Sequence, residues 1–212
     1  LASNASGTKI GLPEVKLGIL PGFGGTTRLP RVVGIQNALD VILAGKSVGS
    51  DRARRIGLVH RVADADRFDD AVEEFVADVL AGRVQRDAHE KGLFERLLED
   101  TGPGRKLLFW MARRKTLERT EGDYPAPIRA LEVIRETYTL PLDDALEVEA
   151  RALGQLALTP ESRNLTRIFL LTREAKRVLP EEAMEARRRI EKLGVVGAGV
   201  MGGAIAELAA AN

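Results

Sequence analysis

Cysteine is absent from all 212 residues, which excludes disulfides, thiolate metal sites and a cysteine nucleophile. A reducing, cytoplasmic setting is the compartment such a chain accepts most easily. Histidine is scarce: His60 and His89 are the only two, so no metal-binding set is expected. No charge of one sign dominates, since 32 Lys and Arg against 31 Asp and Glu leave a formal net charge of +1. That balance supplies no whole-chain field for nucleic acid or an acidic membrane surface. No run approaches the roughly 20 apolar residues that span a bilayer, and the N-terminus lacks the basic-then-apolar pattern of a secretory leader. Repeats of solenoid period and low-complexity tracts are also missing.

What is present is an ordinary apolar fraction of 44%, enough to bury a core. Both ends read as cut: the chain starts at Leu1-Ala2-Ser3 without Met and stops at Ala209-Ala210-Ala211-Asn212 inside a helical pattern. An internal fragment is expected. Ile10 and Leu12 share a face and Pro13 holds its neighbour extended, so residues 8 to 12 predict a short strand ending at Glu14. Pro21-Gly22-Phe23-Gly24-Gly25-Thr26 is too permissive for an element interior and predicts a loop or helix start. A helix follows from Ile35 with Gly45 at its C-cap, then one capped by Ser50 or Asp51. Leu58 to Val62 alternates as a strand, and Phe68, Val72, Phe75, Val76 and Val79 mark another helix.

Beyond Gly82 the pattern changes to helices separated by Pro/Gly loops, with Thr159 and Pro160 placed as N-cap and first residue of a helix carrying Leu165, Ile168 and Phe169 on one face. Residues 180–192 favour a solvated linker helix by composition. Leu193 to Val196 reads as a strand meeting Gly197-Ala198-Gly199-Val200-Met201-Gly202, then helix, which is the context a G-x-G-x-x-G motif requires.

The run Gly11-Leu12-Pro13-Glu14-Val15-Lys16-Leu17-Gly18-Ile19-Leu20-Pro21-Gly22-Phe23-Gly24-Gly25-Thr26 closely resembles the signature of the enoyl-CoA hydratase/isomerase (crotonase) superfamily. It is continued by Arg28-Leu29-Pro30-Arg31-Val32-Val33-Gly34, Ala44-Gly45-Lys46 and Ile56-Gly57-Leu58-Val59. The resemblance implies that Glu14 is one of two carboxylates that activate the water added to an enoyl-CoA thioester. A carboxylate at the end of a strand suits this work, because burial can move its pKa toward the working pH and let it exchange a proton with water or the substrate α-carbon. The other glutamate and the oxyanion-hole amides lie upstream in the family, outside these residues. Losing one such amide costs about 10² to 10³ in rate.

A lone glycine fingerprint is weak evidence, and a flexible small-residue turn is the plain alternative. The order of parts decides here. A crotonase half, a connection with Tyr124-Pro125-Ala126-Pro127 and Leu158-Thr159-Pro160-Glu161-Ser162, and then the fingerprint is similar to the multifunctional α subunits of bacterial fatty acid oxidation complexes. That resemblance implies an NAD site in which Gly197 turns, Gly199 admits the pyrophosphate, Gly202 lets helix pack on strand, and the Met201 amide faces the phosphates. The ribose-binding acid about 20 residues on, and the family's dehydrogenase histidine with its glutamate partner, lie beyond these residues.

The expected fold is α/β: the C-terminal half of a crotonase spiral over 1–82, a helical connection packing on it over 83–190, and the first βα unit of a Rossmann domain over 191–212. The implied parent hydrates trans-2-enoyl-CoA, oxidises the 3-hydroxyacyl-CoA with NAD, and works with a thiolase subunit in an oligomer; the segment alone is expected to be silent. Enoyl-CoA isomerisation and a non-catalytic CoA- or nucleotide-binding module are the alternatives. His60 and His89 read as structural or surface residues, Trp110 as helix packing or core, and Arg113-Arg114-Lys115 and Arg187-Arg188-Arg189 as solvated faces.

Overall fold

Closely spaced glycines and prolines cut the first part of the chain into short elements. The computed structural model describes residues 1–84, 91–177 and 192–211. It divides into two compact units, Leu1–Leu170 and Leu171–Asn212. Residue His89, residues 180–191 of the expected linker helix and Arg187-Arg188-Arg189 lie outside the described residues.

In chain order come β1 (Ala2–Ser3), β2 (Ile10–Gly11), a 3-10 turn (Glu14–Leu17), α1 (Gly25–Val33), α2 (Ile35–Leu43), β3 (Ser47–Val48), α3 (Ser50–Arg55) and β4 (Val62–Ala63). A 3-10 turn (Ala65–Arg67) leads into α4 (Phe68–Leu80); then follow α5 (Leu93–Asp100), α6 (Gly102–Thr120), α7 (Pro125–Thr137), α8 (Leu142–Ala157) and α9 (Pro160–Arg177). The α/β expectation holds with helix in the majority. Ladders are short: β1 pairs parallel with β4, Ala2 opposite Val62, and β2 pairs antiparallel with β3, Ile10 opposite Val48.

Several local expectations are corrected. The strand over 8–12 shrinks to two residues, and Glu14 opens a 3-10 turn instead of ending a strand. The strand expected from Leu58 starts only at Val62, because the amides of Leu58 and Val59 turn back to the Ala53 carbonyl at 2.8 and 3.3 Å. Neither Ser50 nor Asp51 caps α3; Gly49 holds the cap position and makes no side-chain bond. Trp110 is 58% exposed under the Arg114 guanidinium, while its neighbour Phe109 enters the core. The apolar face of α4 is not buried, and Val76 and Val79 stand about half exposed because no described element of the first unit covers them. Ile168 and Phe169 on α9 are likewise exposed.

The core forms where α7 lies against α1 and α2. Pro125 starts α7 at a position where its missing N–H costs nothing, and Ala126, Ala130, Leu131, Val133 and Ile134 recur at helical spacing on its buried side. They meet Val33, Ile35, Leu39 and Ile42, with Ala152 and Leu156 of α8 closing the cluster. Burying a leucine or isoleucine of this kind stabilises by about 1.5–3 kcal/mol. The Thr159 cap forms as expected, its hydroxyl oxygen accepting from the Ser162 amide at 3.2 Å.

In the second unit, α10 (Val200–Ala210) follows Gly199 at the N-cap. The expected strand over 193–196 is absent: residues 192–198 have no regular structure. A strand exists only as a partner in a ladder, and no described residue of that unit offers one.

Candidate functional site

Pro13 directs the chain into the 3-10 turn, and Glu14 is its first residue. Gly18 ends the turn with φ 74°, and its amide returns to the Val15 carbonyl at 3.1 Å. The Ile19 amide reaches the Glu14 carbonyl at 3.3 Å, so the turn folds tightly back on Glu14. The Glu14 side chain is half-buried, and its Oε2 is removed from solvent without a hydrogen-bond partner. A buried unsatisfied carboxylate oxygen is uncommon in folded proteins and marks a place where a water or ligand group is wanted.

Next to this turn, Val15 and Lys16 form part of the wall of a cleft of about 430 Å³. Leu39 and Leu108 give it apolar walls, and Lys115 and Arg119 contribute cations. Glu14 itself does not line this cleft. An apolar wall beside lysine and arginine suits an amphiphilic anion.

The glycine stretch is both loop and helix start. Gly24 takes φ 89° and α1 begins at Gly25. No local side chain caps this helix. Glu149, at mid-length in α8 and 2% exposed, does so from 125 residues away in sequence. Its Oε1 accepts from the Gly24 amide at 2.6 Å, and its Oε2 accepts from the Thr26 hydroxyl at 2.6 Å and the Thr27 amide at 3.0 Å. A carboxylate at a helix N-terminus satisfies orphan amides and complements the positive end of the helix dipole. Glu149 escaped the sequence reading because it sits in an ordinary amphipathic repeat with Ala145, Ala152 and Leu156. An acid at a position with the periodicity of the buried face was the available signal.

A second buried acid repeats the arrangement. Gly34 precedes α2 without a local cap, and Glu99 of α5, fully buried, accepts from the Gln36 amide at 2.8 Å. The Lys91 ammonium stands 3.0 Å from Glu99 Oε2, an ion-pair contact outside hydrogen-bonding alignment, and 2.7 Å from Asp100 Oδ1. Burial opposes the charge on Lys91, but its contacts with Asp100 and Glu99 outweigh that and hold its pKa above the ordinary lysine value.

The fingerprint residues lie in the second unit. Gly197 adopts φ 108°, Gly199 caps α10, Met201 is 73% exposed, and Gly202 is half-buried against the Gly197 carbonyl. A side chain at Gly202 would collide with that carbonyl, whereas Gly199 faces open space. The free amides of a helix start and an unobstructed Gly199 fit the chemistry of a pyrophosphate; the missing strand leaves the rest of a dinucleotide site without its sheet. His60 is exposed and lies beside Phe75 with ring centroids 6.2 Å apart. Among the described residues no group of three or more metal-ligating side chains converges, and no helix is long and apolar enough to cross a membrane.

Residues 1–101 match the enoyl-CoA hydratase/isomerase family. The whole chain is similar to fatty acid oxidation complex α subunits: 41% identical over 210 residues to that of Shewanella amazonensis, 38% over 208 to that of Shewanella sp. strain ANA-3, and 37% over 212 to that of Vibrio vulnificus. These alignments cover 98 to 100% of this chain and 29% of each relative. A solved enoyl-CoA hydratase structure from Geobacillus kaustophilus is 23% identical, with a TM-score of 0.35 over 80% of this chain and 49% of that one, too remote to place any residue. The similarity to the enoyl-CoA hydratase/isomerase family thus covers the first 101 residues, and the chain spans about three-tenths of the length of the α subunits it matches.

Proposed function

We propose that these residues serve a fatty acid β-oxidation enzyme that hydrates trans-2-enoyl-CoA and oxidises the resulting 3-hydroxyacyl-CoA, with Glu14 as one of the two hydratase carboxylates. The observation that carries the reading is the Glu14 carboxylate itself, in the family signature with one oxygen buried and unpartnered. In hydration, hydroxide from water bonds to C3 of the enoyl group and a proton bonds to C2. Glu14, as a general base or acid, would take a proton from that water or return one to C2. The second carboxylate and the oxyanion donors belong to sequence outside these 212 residues, so the segment alone is proposed to be inactive. The apolar and cationic cleft beside the turn is chemically suited to an acyl-CoA.

For the oxidation, Gly197, Gly199, the Met201 amide and Gly202 would cradle the pyrophosphate of NAD, which supplies the hydride acceptor when bound. On this reading residues 1–82 close the hydratase domain, 83–190 connect, and 191–212 open the dehydrogenase domain. A thiolase subunit and an oligomeric assembly are the proposed partners, as for the multifunctional subunits the sequence resembles.

A chimera tests both halves: residues 1–212 replace the matching segment of the Shewanella amazonensis α subunit. Glu14→Gln is expected to lower hydration of crotonyl-CoA by about 10² to 10⁴ with dehydrogenation spared. Gly199→Val is expected to weaken NAD binding by titration calorimetry with hydration spared. Near-normal hydration in the first variant sinks the role of Glu14, and unchanged NAD affinity in the second sinks the cradle.

A further inference from the structure

We propose that Glu149 is a positioning residue for the hydratase reaction: it fixes the glycine-rich loop that carries Glu14 into register. The inference rests on the assignment of Glu14 above and adds a residue that none of the family motifs in this chain includes. Its basis is the convergence of three donors, from the end of that loop and the first turn of α1, on one buried carboxylate. The Gly24 amide, the Thr26 hydroxyl and the Thr27 amide all end on Glu149 at 2.6 to 3.0 Å.

That carboxylate is tied to Glu14 through a short packed path. Gly25 follows Gly24 and lies so close to Pro21 that an added Cβ would stand 2.6 Å from Pro21 Cβ and 3.5 Å from Leu12 Cδ1. Leu12 precedes Glu14 by two residues, and the Thr26 amide returns to the Pro21 carbonyl at 3.3 Å. From the other side Leu153, one turn beyond Glu149 on α8, fills the space over Gly22, where an added Cβ would come within 2.6 Å of Leu153 Cδ2. The loop is thus held between α8 and the segment that leads into the turn presenting Glu14. Misplacement of a catalytic group by about 1 Å costs roughly a hundredfold in rate, so a bond set that fixes the loop acts on the chemistry without touching the substrate.

The chemistry of the bonds dictates the test. Glutamine at 149 keeps one acceptor and turns the other into a donor, which then faces an N–H or O–H that also needs an acceptor. Glu99 provides the comparison, because it is a buried acid capping α2 in the same manner but with no bond to the loop. In the chimera described above, Glu149→Gln is expected to lower kcat for crotonyl-CoA hydration about 10- to 100-fold, with KM within about threefold, at a temperature where circular dichroism shows the protein folded. Glu99→Gln is expected to lower Tm and leave kcat unchanged. Thr26→Val is expected to lower kcat several-fold, and Thr26→Ser, which restores the hydroxyl, to recover it.

A kcat within twofold of the parent for Glu149→Gln overturns the proposal, as does an equal kcat loss in Glu99→Gln. If Glu149→Gln does not fold, the threonine pair decides: full kcat in Thr26→Val overturns the proposal, and loss with rescue by serine supports it. Full activity in Glu14→Gln removes the functional reading itself, whereas an inactive Glu14→Gln beside a fully active Glu149→Gln removes only the role of Glu149.

Discussion

Pro21-Gly22-Phe23-Gly24-Gly25 and Gly197-Ala198-Gly199-Val200-Met201-Gly202-Gly203 are both glycine-rich approaches to a helix, yet a side chain added to them would meet different surroundings. In the first, Gly22 is closed off by Leu153, Gly24 by the Arg28 guanidinium and Gly25 by Pro21. Phe23 sits among them with φ 54° and a fully exposed ring, its carbonyl taken by the Arg28 side chain. In the second, Gly197, Gly199 and Gly203 face open space, and only Gly202 meets neighbours, the Gly197 carbonyl first. The first cluster is glycine because the chain packs on it. In the second, what the described residues require of glycine is the positive φ at Gly197 and the contact at Gly202; no described contact requires glycine at Gly199 or Gly203.

That comparison is most sharply broken at Gly18, which ends the Glu14 turn. Its φ of 74° disfavours any Cβ, and an added one would lie 2.7 Å from Ser162 Cα at the start of α9. Gly18→Val is expected to destabilise the first unit by about 2–5 kcal/mol, combining backbone strain with overpacking. Chemical denaturation measures it, and a loss below about 1 kcal/mol would mean that the packing around this cluster is loose.

A smaller effect is expected at Gly34, the next glycine of the packed region, where an added Cβ would stand 3.0 Å from Glu99 Oε2. Glu99 is neutralised there by Lys91. Because the Lys91 pKa is raised in the folded chain, its contribution is fully present below the ordinary lysine pKa of about 10.4 and is lost as pH rises through the folded value. Lys91→Met is therefore expected to lower Tm at pH 7, and the gap from the parent to close at strongly alkaline pH. A gap that stays constant with pH would assign the loss to packing of the lysine stem.

The smallest effect, and one of opposite sign, is expected in the second cluster. Gly203 lies inside α10 with nothing near its missing Cβ. Gly203→Ala should stabilise that helix by about 0.5–1 kcal/mol, read as slower amide exchange over residues 200–210. Faster exchange would reveal a contact at Gly203 and erase the difference between the two clusters.

The sequence by itself determined the elements whose causes are local. Helices with strong apolar periodicity, the Thr159-Pro160 start of α9 and the loop-to-helix nature of the glycine stretch were readable, because propensity, capping and turn chemistry act within a few residues. Tertiary structure decided what depends on partners distant in the chain. The strands over 8–12 and 58–62 shortened because their ladders are two residues long, and the strand over 193–196 did not form because no described residue of its unit pairs with it. Trp110 and the face of α4 stayed exposed, since a helical stripe specifies which side is apolar and not whether another element covers it. Glu149 and Glu99 became helix caps for the same reason: a carboxylate 125 or 63 residues from the amide it receives carries no local sign of that bond, and only the packing of α8 and α5 against α1 and α2 brings acceptor to donor.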